Sequence, residues 1–332
     1  MNFKKILEGN IDKSEIFQIM EMDWQDFQKI LEVTRELTDK NFGKKIKIYV
    51  PGKKFPAISI TGSECSLNCA HCNQHYLKSM IDGSTPDLLY DECIKLDKQE
   101  AVGCLISGGF NENFHLPFEN YFDTLKRIKK ETNLILNVHT GLITPDLVKK
   151  LEATEIDIVS FDLVGSNAAI KNVYGLEKTV ADYESTFKEL MNSSIKYISP
   201  HICIGLNYGK PSGEIDALNI IKNLNPYLIV LLGLRSTPET PISSISVDPK
   251  YMVKIIAITR LMFPRTEISL GCMRPIGQDR KQIDLGAFHS GVTRIEIPTY
   301  ATLEEAEKLE YKIQRMECCC SIPETLEKKF LS

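Results

Sequence analysis

The sequence predicts an α/β protein built as a closed (β/α)8 barrel of the TIM type, with an N-terminal helical cap and a short C-terminal tail. Eight short runs rich in β-branched apolar residues alternate with amphipathic stretches of helical period, as expected of βα units around a parallel sheet. Eight such units are the number that a (β/α)8 barrel requires. An open doubly wound sheet has the same alternation and stays the alternative.

The eight runs have the length of strands and are mostly separated by helical stretches. They are AISIT (57–61), VGCLIS (102–107), NLILNVH (133–139), IDIVSFD (156–162), YISPHICIG (197–205), YLIVLLG (227–233), EISLG (267–271) and TRIEIP (293–298). The helical stretches are 119–130, 145–152, 178–192, 213–223, 248–263 and 302–316. We therefore divide the chain into a helical cap over residues 1–56, the barrel over 57–316 and a cysteine-bearing tail over 317–332.

The composition is that of an ordinary globular protein. The chain has 332 residues, of which 43% are apolar and 25% charged, which excludes disordered, collagen-like and coiled-coil classes. A formal net charge of -4 provides no electrostatic footprint for nucleic acid or an anionic membrane, so we expect neither as a partner. No apolar run approaches the roughly 18 residues of a membrane span, and the charged start does not resemble a secretory signal. We expect a cytoplasmic protein whose ten cysteines serve metal or catalytic uses.

Three of these cysteines follow the first predicted strand on one short loop. Cys65, Cys69 and Cys72 have the spacing C-x3-C-x2-C. Thiolates suit iron–sulfur clusters or zinc, and the loops after barrel strands build active sites. His71 and His75 would complete a structural zinc site, but such sites usually pair two ligand knuckles across a longer insert. The pattern therefore favours an iron–sulfur cluster, with zinc as the alternative.

This motif resembles that of the radical S-adenosylmethionine (SAM) enzymes, and the resemblance extends over most of the chain. It implies that Cys65, Cys69 and Cys72 hold a 4Fe–4S cluster whose fourth iron is chelated by SAM. Reduction of that cluster cleaves SAM and yields a 5′-deoxyadenosyl radical. In this family the residue before the third cysteine is usually aromatic and packs near the adenine. Here that residue is His71.

Further segments match positions at which the family binds SAM. After the second strand, Ser107, Gly108 and Gly109 resemble the glycine-rich turn that receives the methionine amino group. After the fifth strand, Gly205 lies in CIGLNYGKPSGE, which resembles a stretch that contacts the adenine or methionine moiety. Asp162 ends the fourth strand, where relatives carry a polar residue for the ribose hydroxyls. A turn or N-cap role is the alternative for this aspartate.

Within the superfamily the chain most resembles the biotin synthases. The segments LIVLLGLRSTPETP (228–241) and IAITRLMFPRTEISLGCMRP (256–275) resemble the corresponding end of a biotin synthase barrel. The resemblance implies insertion of sulfur at unactivated C–H positions. In biotin synthase the sulfur comes from a sacrificed second cluster, which is held by cysteines on barrel strands and by an arginine. The remaining cysteines of this chain are therefore candidates for a second cluster.

Several residues match that second site only in part. Cys203 on the fifth strand corresponds to one strand cysteine, and Cys104 to another, although a buried cysteine is often a packing residue. The third strand has no cysteine at the matching place, and His139 there is a candidate substrate contact. Cys272 follows the seventh strand in GCMRP and is a further candidate ligand. Arg274, near the place of the biotin synthase arginine, is a candidate substrate contact.

The tail contains three adjacent cysteines, Cys318, Cys319 and Cys320. One or two of them are candidate ligands of a second cluster, because neighbouring residues can hardly all point at one metal. A helix over 302–316 should run away from the catalytic face, so this role requires the tail to fold back. A remote structural cluster, a docking point for a sulfur or electron donor, and a plain reactive tail are the alternatives.

The barrel, GCMRP and the cysteine-bearing tail together look most like the two-component lipoyl synthases of archaea and some bacteria. The usual bacterial type takes second-cluster ligands from an N-terminal cysteine run, and residues 1–64 here contain no cysteine. The resemblance implies a sulfurtransferase that acts on an octanoyl group with a 4Fe–4S cluster, SAM and a second iron–sulfur cluster. It also implies a small-molecule or carrier-bound acyl substrate, a reductant such as ferredoxin or flavodoxin, and a paralogous partner enzyme.

Two alternatives to this function stay open from the sequence. One is a biotin synthase-like or other radical SAM enzyme of cofactor biosynthesis without sulfur insertion, such as a mutase or carbon–carbon bond former. The other is a non-catalytic iron–sulfur or zinc scaffold. A second cluster would distinguish sulfur insertion from the radical enzyme without it. Cleavage of SAM would distinguish either radical enzyme from a non-catalytic scaffold.

Overall fold

A computed structural model describes residues 11–327 and contains one parallel sheet of eleven strands. The strands are β1 (Lys45–Tyr49), β2 (Ala57–Ser59), β3 (Ile81–Asp82), β4 (Gly103–Ser107), β5 (Ile135–His139), β6 (Ile158–Asp162), β7 (Tyr197–Ile204), β8 (Leu228–Gly233), β9 (Glu267–Leu270), β10 (Arg294–Glu296) and β11 (Lys312–Met316). Their order across the sheet is β11-β1-β10-β9-β8-β7-β6-β5-β4-β2-β3, and every ladder is parallel.

Helices connect most of the strands. They are α1 (Lys13–Glu21), α2 (Trp24–Phe42), α3 (Pro86–Lys98), α4 (Phe122–Glu131), α5 (Pro145–Glu152), α6 (Asn167–Ala169), α7 (Val180–Asn192), α8 (Glu214–Ile221), α9 (Pro249–Met262), α10 (Gln278–His289), α11 (Tyr300–Lys308) and α12 (Glu324–Glu327). Three of them, α3, α5 and α9, begin alike. A capping side chain, Thr85, Thr144 or Asp248, accepts a first-turn N–H, and proline fills the first helical position. No helix within residues 11–327 is long and apolar enough to cross a bilayer.

All eight predicted strands are present, as β2 and β4 to β10, but the predicted closed barrel is wrong. The sheet is an open half-barrel with β11 at one edge and β3 at the other, and no ladder joins these edges in the described part of the chain. The sequence pattern did not predict three strands, which extend the sheet at both ends: β3 pairs with the outer edge of β2, and β1 and β11 lie beyond β10. β1 pairs with β10 through Ile48 and Ile295, and β11 pairs with β1. β1 and β11 thus occupy the edge of β10, and β3 the edge of β2, at which the two strands would meet in a closed barrel.

Two of the three added strands, β1 and β11, lie where helices were expected. β1 falls within residues 1–56, the region assigned to the helical cap. β11 falls within 302–316, which the sequence predicts as one helix; the helix ends at Lys308 and the chain then turns into the strand. Because β11 is parallel to β1, with Met316 opposite Tyr49, the chain leaves β11 at the carboxyl end of the sheet.

Alternation along the strands gives the sheet two different faces. The outer face, with residues such as Ile106, Val159 and Leu270, packs with the helices in the main core. The inner face carries a second apolar cluster in which strand residues such as Ile135 and Leu228 pack with residues of the tail. The tail therefore lies on the side of the sheet opposite to the helices.

The described part of the tail, residues 317–327, runs through the hollow of the sheet. The sulfur of Cys319 lies 3.9 Å from the amide nitrogen of Asn137 on β5. Farther along, the hydroxyl of Thr325 lies 2.6 Å from that of Tyr197, at the amino end of β7. Contacts of one segment with such separate strands require a concave inner face. The tail does fold back, as an active-site role of its cysteines requires.

Candidate active site

The cysteine loop lies at the carboxyl end of β2. The sulfur of Cys65 accepts the backbone N–H of Leu67 at 3.5 Å and that of Phe110 at 3.3 Å. Donors of this kind stabilise a thiolate, which is the form that binds metal. Burial and the neighbouring thiols of Cys72 and Cys65 raise the pKa of Cys69 to about 12. The positive charge of a bound iron would offset that effect.

The glycine turn after β4 is in direct contact with this loop. It consists of Ser107, Gly108 and Gly109. The N–H of Gly109 donates to Thr61 Oγ1 at 2.7 Å. A Cβ atom on Gly109 would lie 1.9 Å from the carbonyl oxygen of Glu64 and 2.6 Å from Cys65 Cβ. Only glycine therefore allows the turn after β4 to approach the cysteine loop.

His71 lies within the same loop with one ring nitrogen unsatisfied. Its Nδ1 is buried and has no hydrogen-bond partner within residues 11–327. The ring packs edge-on against Tyr174, with 5.2 Å between centroids. Burial lowers the pKa of His71 to about 4, so the ring is neutral at pH 7. A neutral imidazole with a free nitrogen is suited to a hydrogen bond with an uncharged polar group.

The inner face of β5 to β7 brings three titratable side chains together. His201 Nδ1 lies 3.8 Å from Asp162, and the rings of His201 and His139 are 5.7 Å apart. Burial lowers the pKa of both histidines, that of His201 to about 3, so both are neutral at pH 7. His139 Nδ1 lies 3.4 Å from the hydroxyl of Ser107, which joins this cluster to the glycine turn. The side chain of Asp162 is 49% exposed and is available to a ligand.

Gly205 directly follows β7, at the carboxyl end of the sheet. Its N–H donates to Glu214 Oε1 at 2.8 Å, and its carbonyl accepts the N–H of Gly209 at 2.8 Å. With φ of 74°, it forms a tight turn that needs glycine. Both of its backbone polar groups are engaged within the turn, and a contact of Gly205 with SAM stays a prediction. Cys203, on the side of β7 that carries His201, has its pKa raised by burial and by nearby Asp162.

Cys319 is the tail residue with the most donors around it. Its sulfur accepts the N–H of Ser321 at 3.5 Å and faces the side-chain amide nitrogen of Asn137 at 3.9 Å. The hydroxyl of Ser160 donates to Asn137 Oδ1 at 2.9 Å, which turns the amide nitrogen towards Cys319. A hydrogen bond from the Cys320 thiol lowers the pKa of Cys319, although burial opposes this.

Cys272 also lies near this group. The Cys272 thiol is accessible. Its surroundings still raise its pKa, mainly by partial desolvation and to a smaller degree through Glu296 and Cys319. Cys318 is buried in the inner apolar cluster. Within residues 11–327, no three His, Cys, Asp or Glu side chains converge closely enough to coordinate one metal ion. The cysteines of an iron–sulfur cluster bind different iron atoms, so they need not converge on one point.

Arg274 does not face a substrate cavity, which corrects its predicted role. Its side chain is fully buried and forms two hydrogen bonds with Asp284, at 2.7 and 3.2 Å. The same guanidinium donates to the carbonyl oxygens of Gly271 at 2.5 Å and Glu296 at 2.8 Å. Arg274 therefore fixes the loop after β9 against β10 and α10.

Two site residues were not predicted from the sequence. Arg235, after β8, has a buried Nε without a hydrogen-bond partner in the described part of the chain. Glu296 is buried, and burial raises the pKa of its carboxyl. The signal for Glu296 was its spacing in TRIEIP, where Arg294 and Glu296 fall on the same face of a buried strand.

The chain matches two family models in succession. Residues 59–218 match the Radical SAM superfamily, and residues 219–315 match the Biotin and Thiamin Synthesis associated domain. The chain therefore contains a radical SAM domain followed by a Biotin and Thiamin Synthesis associated domain. The two matches meet inside α8, so one continuous sheet carries both. A 4Fe–4S cluster and SAM are therefore cofactors of this enzyme.

Known relatives place this radical SAM enzyme in the biotin synthase-like branch. Biotin synthase of Bacillus licheniformis is 20% identical over 285 residues, which cover 82% of this chain and 81% of that protein. The crystal structure of HydG, a maturase of the FeFe-hydrogenase, is similar with a TM-score of 0.68 at 18% identity, covering 89% of this chain and 67% of that one. The crystal structure of methylornithine synthase is similar with a TM-score of 0.67 at 13% identity, covering 94% and 97%. At such identities the two structures show the fold alone.

Proposed function

We propose that this radical SAM enzyme inserts sulfur at unactivated C–H bonds of an octanoyl group, as a component of a lipoyl synthase. The observation that carries the proposal is the position of the tail. It brings Cys319 and Cys320 to the inner face of the sheet that also presents His139 and Asp162. Generation of the adenosyl radical needs only the cysteines of the loop, whereas sulfur insertion needs a sulfur source beside the substrate.

In this proposal Cys65, Cys69 and Cys72 hold the 4Fe–4S cluster. When bound, that cluster supplies the electron that cleaves SAM. The residues fit the group, because two backbone N–H groups donate to Cys65 and because Gly109 has no Cβ to separate the turn from the loop. The protein's contribution is to hold the cofactors and to exclude competing reactions.

SAM would lie between the cysteine loop and the carboxyl ends of β4 to β6. Ser107, Gly108 and Gly109 would face its methionine part. The half-exposed carboxylate of Asp162 would accept hydrogen bonds from the ribose hydroxyls. The unsatisfied Nδ1 of His71 would bond a polar atom of the adenine.

The inner face also suits an aliphatic substrate. Leu105 and Leu232 are only partly buried there and provide apolar surface. His139 is neutral at pH 7, so it can contact an uncharged acyl chain without a charge to desolvate. We retain His139 as the substrate contact and assign Arg274 no such role.

The reductant would approach the cysteine loop from outside. Cys65 is partly exposed and borders an open groove of about 650 Å³, which is also lined by Glu64 and Asn111. A ferredoxin or flavodoxin at this groove would be close to the cluster. A paralogous enzyme would share the two sulfur-insertion steps.

The test is an anaerobic turnover assay with SAM, a chemical reductant and an octanoyl-lysyl peptide. The protein is reconstituted with 34S-labelled sulfide, and the assay is run with and without the paralogous enzyme. We expect 5′-deoxyadenosine together with a 34S-containing peptide. Cys65→Ala should abolish both products, and Cys104→Ala, a change in the outer core, should keep both.

Formation of 5′-deoxyadenosine without sulfur in the peptide would contradict sulfur insertion and favour a mutase or bond-forming enzyme. Failure to cleave SAM under strong reduction would contradict the radical activity itself.

A further inference from the structure

Arg235 lies on the loop after β8 and has no partner for its charge. Its Nε is buried and has no hydrogen-bond partner within residues 11–327. The nearest acidic residue along the chain, Glu239, is exposed and pairs with Lys78 instead, at 3.9 Å. A buried donor of a charged group that lacks an acceptor costs free energy. An anion bound at this guanidinium would remove that cost.

The loop that carries Arg235 joins two parts of the candidate active site. The N–H of Gly233 donates to the carbonyl oxygen of Met273 at 2.8 Å, in the loop after β9. On its other side, the hydroxyl of Thr237 lies 2.8 Å from that of Tyr76, which follows the cysteine loop. Arg235 lies between these two contacts along the chain. A ligand of Arg235 would therefore lie at the carboxyl end of the sheet, beside the cysteine loop.

Arginine side chains are in excess in this region. Burial lowers the pKa of Arg280, and so do the charges of nearby Arg274 and Arg235. Two carboxyl groups lie among these arginines. Asp284 is 2.7 Å from Arg274 and 3.8 Å from Arg280, and Glu296 lies near both. Even with both carboxyl groups ionised, three cations face two anions. The remaining positive charge matches a carboxylate, which carries one negative charge and fits the fork of a guanidinium.

The backbone next to these arginines holds an apolar residue in an unusual conformation. Ile297, directly after β10, has φ of 44°, in the left-handed region that β-branched residues rarely adopt. Its carbonyl oxygen accepts hydrogen bonds from Arg280 at 2.6 Å and from Arg274 at 3.3 Å, which fix this conformation. Ile297 is 50% exposed, so burial of its side chain does not offset the strain. Strained residues of this kind cluster at functional sites.

Two further apolar side chains are exposed at the same end of the sheet. Ile276 lies between Arg274 and Arg280 in the loop after β9, and Tyr300 begins α11 three residues after Ile297. Single exposed apolar side chains are common on protein surfaces. Large apolar and tyrosine side chains beside an unpaired arginine have the composition of a protein-binding surface. We call this surface the arginine rim; it consists of Arg235, Ile276, Arg280, Ile297 and Tyr300.

We propose that the arginine rim binds the protein carrier of the octanoyl group, and that Arg235 binds the carboxylate of an acidic side chain next to the acylated lysine. This inference rests on the proposed function, which requires an octanoyl substrate, and it names the chemistry by which the carrier is recognised. Ile276 and Ile297 would contact apolar side chains of the same carrier segment. From the rim, the acyl-lysine side chain would extend to the inner face of the sheet.

The methionine carboxylate of SAM is a second source of the same chemistry. The glycine turn that would face the methionine part follows β4, which lies four strands from β8 in the sheet. We therefore assign the carrier carboxylate to Arg235. Because SAM also binds beside the cysteine loop, the experiment measures the affinity for SAM separately from the affinity for the carrier.

The experiment measures binding of octanoyl-lysyl peptides to the full chain, reconstituted anaerobically and loaded with SAM. One peptide has aspartate next to the acylated lysine, and the other has asparagine there. We expect the aspartate peptide to bind at least tenfold more tightly. Arg235→Gln should reduce this preference to less than twofold. Arg235→Lys should keep part of it, because the charge is kept but the guanidinium fork is lost.

Arg265→Gln is the matched control. Arg265 is exposed and precedes β9, so it lies at the opposite end of the sheet. This variant should keep the full preference for the aspartate peptide. Circular dichroism confirms that each variant is folded.

Ile297→Gly separates binding from structure. Glycine adopts a φ of 44° without strain, so this change should raise the midpoint of urea unfolding. It also removes apolar surface from the rim, and it should weaken binding of both peptides about fivefold. A higher midpoint with unchanged binding of both peptides would overturn the apolar part of the rim.

The outcomes distinguish this inference from the proposed function. Equal binding of the two peptides by the protein without substitutions, or a preference that Arg235→Gln leaves intact, would overturn the role of Arg235. A loss of SAM affinity in Arg235→Gln with the preference retained, measured by equilibrium dialysis, would assign Arg235 to the methionine carboxylate instead. Failure of both peptides to bind would overturn the octanoyl carrier as substrate. Octanoate and octanamide then test the carboxylate site alone, and equal binding of these two would overturn that site as well.

Discussion

Glu327→Gln should release the tail, because it removes one of two negative charges from a buried network with two positive charges. Glu327 is 1% exposed and contacts Lys47 at 2.8 Å and Arg294 at 3.1 Å. Loss of one partner from such a buried pair costs about 3 to 5 kcal/mol. The control Glu324→Gln affects a side chain that is 55% exposed and reaches Lys47 only at 4.0 Å, so its cost should stay below about 1 kcal/mol.

Hydrogen exchange measures this effect at the tail. Since Glu327 anchors a terminal segment, we expect local opening to precede global unfolding. Exchange of the amides of residues 317–327 should accelerate by roughly 10² to 10³-fold, because each 1.4 kcal/mol corresponds to about tenfold. The amides of β5 and β6 should be unaffected.

A second substitution tests the electrostatic cause. Lys47→Met added to Glu327→Gln removes one cation and leaves Arg294 paired with Glu267. The double variant should therefore protect the tail better than Glu327→Gln alone, since the network is again neutral. The reasoning is refuted if the double variant opens as readily as the single one, or if Glu324→Gln opens the tail equally.

Three further predictions concern the site. Gly109→Ala should prevent loading of the loop cluster, because its Cβ would lie 1.9 Å from a carbonyl oxygen of that loop; iron content per chain measures this. His201 has a pKa of about 3 when folded against about 6.5 unfolded, so stability should be full above pH 6.5 and fall at lower pH, by up to about 1.4 kcal/mol per pH unit. For His201→Gln, the free energy of unfolding measured with urea should change less with pH over this range. Arg274→Lys should lower the free energy of unfolding by about 3 kcal/mol and leave SAM affinity unchanged, as measured by urea unfolding and calorimetry, because Arg274 is buried with Asp284 and faces no ligand.

The eight strands that alternate with helices could be predicted because each is an apolar run of strand length. β1 and β11 could not be predicted in this way. KIKIY alternates charged with apolar residues, and KIQRM has only two apolar residues among polar ones, so neither is a continuous apolar run. Lys47 is nevertheless 2% exposed, because its partners come from β9 and the tail. Such a distant ion pair leaves no local pattern in the sequence.

The site shows the same division between local and distant signals. The cysteine loop and the glycine turn are short motifs, and the structure brings them into contact. Cys272 and Arg274 are two residues apart, yet one thiol is accessible and the other side chain is fully buried. Arg274 is buried because it pairs with Asp284 in α10. The sequence of the loop alone does not reveal that pairing.

The open sheet and the docked tail are parts of one arrangement. The interior of an eight-stranded barrel is just wide enough to be filled by its own side chains, so it has no room for a further segment of chain. β1 and β11 extend the sheet beyond β10 and prevent that closure. β1 also contributes Lys47 and Tyr49, which bind Glu327, and β11 returns the chain to the carboxyl end of the sheet, from which the tail enters. The strands that keep the hollow open are therefore the ones that deliver the tail to it and hold it there, so a change that undocks the tail should alter the second site before it alters the cysteine loop.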